Sequence, residues 1–102
     1  MTFQTIYPRE IEEVQKRERA LLVDIRERKA FQKEHWNGAV CAPYDSQTPW
    51  YQGLPKYRPL ILYCEHGGSS MLAGRTLGQQ GYKVYAVVGG YEAMKKFKNK
   101  EI

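Results

Sequence analysis

A cysteine, two glycines and two serines stand together just after an apolar run. The run is Leu-Ile-Leu-Tyr at residues 60–63, and Cys64 follows it directly. The next six residues are Glu65, His66, Gly67, Gly68, Ser69 and Ser70. A cysteine between a strand and a helix lies near the unpaired N–H groups of the first helical turn, which stabilise a thiolate or an anion attached to the sulfur. This arrangement predicts that Cys64 is a nucleophile.

The residues after Cys64 have opposing effects on such an anion. Gly67 and Gly68 lack a Cβ, so the backbone can turn sharply and direct successive N–H groups at the sulfur. Glu65 disfavours a neighbouring thiolate by like-charge repulsion, and a protonated His66 would offset part of that charge. We expect the backbone N–H groups of residues 65–70 to hold an anionic sulfur. The alternative is an inert, buried Cys64, which is a common state of free cysteine.

The elements that position this loop alternate between strands and helices. Strands are predicted at residues 3–7 (an edge strand), 20–25, 38–42, 60–64 and 83–90. Helices are predicted at residues 8–18, 27–35, 69–81 and 91–98. This alternation indicates an α/β domain with a mainly parallel sheet and right-handed crossovers. Ligands of such sheets bind at the carboxyl ends of the strands, where Cys64 stands.

The helix predicted over residues 69–81 has an expected inward face. That face consists of Leu72, Ala73, Thr76 and Leu77. Gly74 and Gly78 are four residues apart on one side, where the missing side chains would let the helix lie close to the sheet. We expect a serine to cap the start of this helix and Gly81 to end it.

The length and composition predict a single domain over residues 1–102 with one hydrophobic core. No apolar stretch is long enough to cross a bilayer, and the first residues lack the pattern of a secretory signal. We therefore expect a cytoplasmic protein without a membrane partner. Two cysteines, Cys41 and Cys64, are too few for a disulfide framework and should stay reduced there. With only two histidines beside them, no metal site is expected.

The net charge of +5 comes largely from residues 26–33 and 95–100. We interpret these charges as solvated helix faces, with a docking surface for an acidic partner as the alternative. The basic residues are dispersed and are not interleaved with aromatic residues along one element. This dispersion argues against direct binding of nucleic acid.

Two ordered segments of the sequence resemble the single-domain rhodanese family of sulfurtransferases. The first resembles the strand-DxR-helix-H..GA signature of that family and carries Asp24, Arg26, Phe31, His35, Gly38 and Ala39. The second resembles the active-site loop and the elements after it, with Cys64, Gly67, Ser70, Ala73, Leu77, Gly81, Gly89 and Gly90. Together the two segments cover nearly the whole chain.

The resemblance implies a three-layer α/β fold in which a mainly parallel five-stranded sheet carries helices on both faces. It also implies that Cys64 carries a sulfane sulfur as a persulfide, with no metal or organic cofactor. The donor would be a small molecule such as thiosulfate or a persulfide, or a donor protein, and the acceptor a thiol, cyanide or an acceptor protein. Asp24 and Arg26 are expected to support the loops as a charge pair.

The active-site loop departs from the family at two positions. Such loops often carry arginine directly after the cysteine and again five positions after it, where this sequence has Glu65 and Ser69. We therefore predict weak activity with dianionic thiosulfate and better activity with a persulfide donor. The same departures leave a non-catalytic interaction or regulatory module as the alternative function. A phosphatase or arsenate reductase is disfavoured, because the arginine it needs six positions after the cysteine is Ser70.

Further residues are expected around the pocket. Tyr44, Asp45 and Trp50 follow a strand and are expected at its rim. Gly89, Gly90 and Tyr91 follow another strand and are expected to form the opposite wall. Cys41 could resolve the persulfide as a disulfide, but its place inside a predicted strand argues against that role.

Overall fold

The computed structural model describes residues 2–100, in which a parallel sheet is covered by helices on both faces. The strands are β1 (Thr2–Ile6), β2 (Leu21–Asp24), β3 (Val40–Cys41), β4 (Leu60–Tyr63) and β5 (Lys83–Val87). The helices are α1 (Ile11–Glu18), α2 (Arg28–Lys33), α3 (Gly68–Gln79) and α4 (Gly90–Lys100), and a 3-10 helix (Pro8–Glu10) precedes α1. The predicted three-layer α/β class is confirmed. Residues 1, 101 and 102 of the expected domain lie outside the described part.

The sheet has the strand order β1-β5-β4-β2-β3, and every pair of neighbouring strands is parallel. β4 lies between β5 and β2 and is buried on both faces, as its continuous apolar run predicts. Leu60 and Leu62 pack into the core formed with α3. Ile61 and Tyr63 pack into the core formed with α1 and α4. Because both cores fix β4, they also fix the position of Cys64 just beyond its carboxyl end.

α3 packs against the sheet through Ala73 and Leu77 of the predicted face and through its glycine side, which was predicted to lie close to the sheet. Its buried residues are Ser70, Ala73, Gly74, Leu77 and Gly78. Leu72 and Thr76 are exposed, so their predicted inward position was wrong. The reason is that the glycine side of α3 lies on the sheet, where a Cβ on Gly74 would collide with the ring of Phe3 in β1.

β3 and β5 are each three residues shorter than predicted, the largest differences among the strands. β3 keeps only two of the residues 38–42, because Gly38 has a positive φ of 86° and Pro43 has no N–H group for a ladder. β5 ends at Val87, since Gly89 and Gly90 have φ values of 78° and 63° that no strand contains. β5 therefore ends in a tight turn at the edge of the sheet that carries Cys64.

A half-buried carboxylate ties the end of α1 to β5. Glu18 accepts hydrogen bonds from the hydroxyl of Tyr85 at 2.8 Å, from Nζ of Lys83 at 2.9 Å and from Nη2 of Arg17 at 2.9 Å. The bond to Lys83 contributes most to lowering the pKa of Glu18 from 4.5 to about 2. Glu18 is therefore ionised throughout the neutral range and holds α1 on the sheet.

Glu18→Gln should destabilise the protein at neutral pH by about 1 kcal/mol, because the variant cannot form the charge-assisted bonds. A folded-state pKa below the unfolded value gives stability that is present above pH 4.5 and is lost as the pH falls toward about 2. Urea denaturation at several pH values should therefore show the two proteins converging in this acidic range. Glu12→Gln, on the exposed side of α1 with a side chain 84% accessible, is the matched control and should change little.

Candidate active site

The sulfur of Cys64 takes the place that a capping side chain has at the start of other helices. The N-cap residue of α3 is Gly67, with a φ of 105°, and no side-chain oxygen caps the helix. The N–H groups of Gly67 and Ser70 instead donate to Sγ of Cys64 at 3.1 and 3.3 Å. The expected serine cap was therefore wrong, and the hydroxyl of Ser70 donates to the carbonyl oxygen of Gly67 at 3.1 Å. Two backbone donors and the positive end of a helix favour negative charge on this sulfur.

The other residues of the loop differ in their exposure to solvent. Glu65 is half-buried, while His66, Gly68 and Ser69 are exposed. The side chain of His66 is 72% accessible, and its Nδ1 lies 3.4 Å from Oε2 of Glu92. Of the amides in residues 65–70 that were expected to face the sulfur, those of Gly67 and Ser70 form the hydrogen bonds to Sγ.

The start of α4 holds the loop from behind through its backbone. The N–H of Tyr91 donates to the carbonyl oxygen of Cys64 at 2.7 Å, and the N–H of Glu92 donates to that of Glu65 at 3.1 Å. A Cβ on Gly90 would lie 2.5 Å from the carbonyl oxygen of Cys64, and Gly90 has a positive φ of 63°. Only glycine allows this approach. Residues 89–91 therefore clamp the loop, whereas we expected them to form the opposite wall of the pocket.

Arg26 joins β2 to three other parts of the site. Its Nε and Nη2 donate to the carboxylate of Asp24, with Nη2 at 2.8 Å, and Nη2 also donates to the carbonyl oxygen of Glu34 at 2.7 Å. Its Nη1 donates to Oε1 of Glu65 at 3.1 Å, and its guanidinium lies 4.2 Å from the ring centre of Tyr91. Burial lowers the pKa of Arg26, but the bonds to Asp24 and Glu65 outweigh burial and raise the pKa above its ordinary value. Arg26 is therefore a permanent cation.

Glu65 forms an ion pair with Arg26, a cation that it shares with Asp24. A protonated His66 could have offset part of this charge, but its side chain is exposed and lies beside Glu92 instead. The side chain of Arg26 is only 7% accessible and that of Glu65 is 46% accessible, so the pair spans the boundary between the interior and solvent. The sequence contains no signal for this pair, because the two residues are 39 positions apart.

A cavity of about 380 Å³ lies beside Cys64. It is lined by Ile25, Arg26, Glu27, Ala30, Pro43, Tyr44, Cys64, Glu65 and Ser69. Tyr44 is a lining residue as predicted, while Asp45 and Trp50 are not among them. Trp50 packs edge-on against the ring of Tyr44, with 5.5 Å between the ring centres, and Asp45 accepts a hydrogen bond from the N–H of Gln47. Cys64 is only 6% exposed, so a small molecule reaches its sulfur through this cavity.

Cys41 lies too far from Cys64 to form a disulfide in this fold. It pairs with Asp24 across β3 and β2, and Asp24 pairs with Tyr63 across β2 and β4. Two interstrand spacings separate Cys41 from Tyr63 by roughly 10 Å, beyond the limit of about 7 Å between Cα atoms of a disulfide. Burial raises the pKa of the Cys41 thiol, which keeps it protonated near neutral pH. Cys41 therefore has no resolving role in this geometry.

Two further findings concern residues 2–100 only. None of the helices there combines the length and apolar character needed to cross a bilayer. No three side chains of His, Cys, Asp or Glu in this range come together as metal ligands would.

Comparison with known proteins identifies the family. The sequence matches the family model of the rhodanese-like domain over residues 7–97. The thiosulfate sulfurtransferase GlpE of Pseudomonas putida is 37% identical over 91 residues, which cover 88% of this chain and 83% of that protein. The chain belongs to the rhodanese-like family, and the predicted resemblance is confirmed.

Solved structures agree with this assignment. A rhodanese homologue from Thermus thermophilus is 30% identical, with a TM-score of 0.72 over 87% of this chain and 98% of that one. The reduced CoADR-RHD protein of Bacillus anthracis has the same fold in one part, with a TM-score of 0.84 and 23% identity over 96% of this chain and 17% of its own.

Gly90→Ala should displace the Cys64 loop, because the new Cβ would overlap the carbonyl oxygen of Cys64 and alanine disfavours a positive φ. We expect a loss of about 2 kcal/mol or more in the free energy of unfolding, measured by urea denaturation. Alkylation of Cys64 in the folded variant should also change in rate, since the sulfur leaves its amide donors.

Gly53→Ala is the matched control for that substitution. A Cβ on Gly53 has nothing within 4 Å, so this variant should keep both its stability and its rate of alkylation. Equal effects of the two substitutions would contradict the clamp between α4 and the loop.

Proposed function

We propose that this protein is a sulfurtransferase that carries a sulfane sulfur as a persulfide on Cys64. The observation that carries the proposal is the pair of backbone N–H groups, from Gly67 and Ser70, that donate to the sulfur beside an accessible cavity. The name of the Pseudomonas putida relative, a thiosulfate sulfurtransferase, supports the same activity. No redox cofactor is needed, because the transfer is a pair of displacements at sulfur.

The proposed reaction consists of two displacements at sulfur, with no net oxidation or reduction of the protein. In the first, the Cys64 thiolate attacks the outer sulfur of the donor and an S–S bond forms. The S–S or S–sulfonate bond of the donor breaks, and its electron pair leaves with sulfite or with a thiolate. In the second step, cyanide or a thiolate attacks the outer sulfur of the persulfide. Thiocyanate or a new persulfide leaves, and the Cys64 thiolate is restored.

The first turn of α3 offers donors for the outer sulfur of that persulfide. The helical ladder begins with the N–H of Met71, which donates to the carbonyl oxygen of Gly67. The preceding amides of Gly68 and Ser69 have no carbonyl acceptor within the helix. Ser69 also lines the cavity. These two amides are well placed to stabilise the negative charge of a terminal sulfur, as backbone donors do for other anions that form during catalysis.

The cavity favours a persulfide as the better donor, with thiosulfate as a weaker one. The carboxylates of Glu27 and Glu65 both belong to its lining, and the one cation among the lining residues, Arg26, is already paired. A dianion therefore meets repulsion where a persulfide without further negative charge does not. A donor or acceptor protein is a further candidate partner. We expect the cytoplasm as the compartment, because a reducing environment keeps the Cys64 thiol free.

Cys64→Ser should abolish sulfur transfer while keeping the fold, because a serine hydroxyl can still accept bonds from the amides of Gly67 and Ser70. The protein is incubated with thiosulfate or with a small-molecule persulfide, and its intact mass is measured. The wild type should gain one sulfur atom and release thiocyanate when cyanide is added, and Cys64→Ser should do neither.

Cys41→Ser is the control and should transfer sulfur at the wild-type rate, since Cys41 lies two strands away from the site. Failure of the wild type to gain sulfur from any donor would instead favour a non-catalytic interaction module, the alternative that Glu65 and Ser69 leave open.

A further inference from the structure

One nitrogen of Arg26, a residue that lines the cavity, donates to a side chain that lines the same cavity. The Nε and Nη2 atoms are held by Asp24 and by the carbonyl oxygen of Glu34. The remaining arm, Nη1, donates to Glu65 at 3.1 Å. Arg26 and Glu65 both line the cavity that reaches Cys64. Nη1 is therefore the arm of this buried cation that can exchange partners.

A guanidinium N–H group from a residue that lines the same cavity as the nucleophilic cysteine is a suitable site for an oxyanion. Planar N–H groups of arginine bind the oxygens of carboxylates, phosphates and other oxyanions through charge-assisted hydrogen bonds. The sulfonate oxygens of thiosulfate are acceptors of this kind. In this chain the carboxylate of Glu65 already satisfies Nη1, so an incoming sulfonate must displace it.

We infer that Glu65 is a specificity-determining residue that competes with the oxyanion group of a donor for Nη1 of Arg26. The inference rests on the proposed sulfur transfer and assigns its donor class, which is persulfides that carry no oxyanion group. Glu65 lies on the carboxyl side of Cys64 and its side chain is 46% accessible, so it can leave Nη1 without disturbing a core. It acts on donor binding and takes no part in the displacement at sulfur.

The cavity has a second carboxylate, Glu27, and its removal serves as a control for the effect of charge alone. Glu27 precedes α2 and is exposed, and it lines the same cavity. The hydrogen bonds of Arg26 go to Asp24, Glu34 and Glu65, and Glu27 is not one of these acceptors. Removing either glutamate changes the cavity by one charge, but only removal of Glu65 releases Nη1.

The test compares the ratio of kcat/KM for thiosulfate to kcat/KM for 2-hydroxyethyl persulfide, which has no carboxylate or sulfonate. Glu65→Ala should raise this ratio by about ten-fold, the size expected for one charge-assisted contact. Glu65→Gln keeps an acceptor on Nη1 without its charge and should give an intermediate increase. Glu27→Gln should change the ratio by about two-fold or less, as a partly screened charge does.

Binding without turnover gives a second readout. Sulfate is an unreactive dianion, and it should slow the alkylation of Cys64 by uncharged iodoacetamide if it binds at Nη1. Protection should appear in Glu65→Ala at sulfate concentrations that leave the wild type unprotected. Thermal melts of the three variants show whether each is folded under the assay conditions.

The outcomes distinguish this inference from the proposed function. If wild type transfers sulfur but Glu65→Ala leaves both the donor ratio and the sulfate protection unchanged, the competition at Arg26 is refuted while the sulfurtransferase stands. Equal changes in Glu65→Ala and Glu27→Gln would also refute it, because net charge alone would then account for the preference. Absence of sulfur transfer in every variant with every donor would refute the proposed function itself.

Discussion

The site depends on one interaction, the hydrogen bonding of the Cys64 sulfur by the first turn of α3. The N–H groups of Gly67 and Ser70 need an acceptor, because no helical carbonyl precedes them. The sulfur accepts both, so the same contact that starts the helix also stabilises a negative sulfur. A Cβ at Gly67 would approach the backbone of Gly89 to 3.1 Å, so the turn after β5 packs directly on this contact. The hydrogen bonds that position Cys64 at the start of α3 are therefore the same bonds that stabilise its anionic sulfur.

Charge around this contact is arranged by a buried arginine. Asp24 is inaccessible to solvent and uses its carboxylate to fix Arg26, which in turn binds the end of α2 and lies over the ring of Tyr91 at the start of α4. An unpaired cation at this depth would be costly, and its several bonds offset that cost. Arg26 thereby joins β2, α2, α4 and the Cys64 loop, and it forms an ion pair with the glutamate next to the nucleophile.

The parts of the site that follow from local pattern were predictable from the sequence. The apolar run before Cys64 and the glycines after it indicate a sulfur at the carboxyl edge of a parallel sheet. The pairing of Arg26 with Glu65 was not predictable, because it depends on how β2 and β4 come into register. The predicted inward positions of Leu72 and Thr76 were also wrong. The hydrophobicity of leucine favours burial, but the close approach of α3 to the sheet allows only a residue without a side chain, which is Gly74. Close approach between elements outweighs the apolar character of single residues here.

The Cys64 loop is held through its main chain on both sides, with its amides on the sulfur and its carbonyl oxygens on the start of α4. Main-chain bonds of this kind do not depend on which side chains the loop carries. The side chains of Glu65, His66 and Ser69 take no part in these main-chain bonds, so they can diversify during evolution, or be randomised in a library, while the nucleophile keeps its place. Selectivity for the donor can therefore change in this fold while the hydrogen bonds that hold the nucleophilic sulfur stay the same.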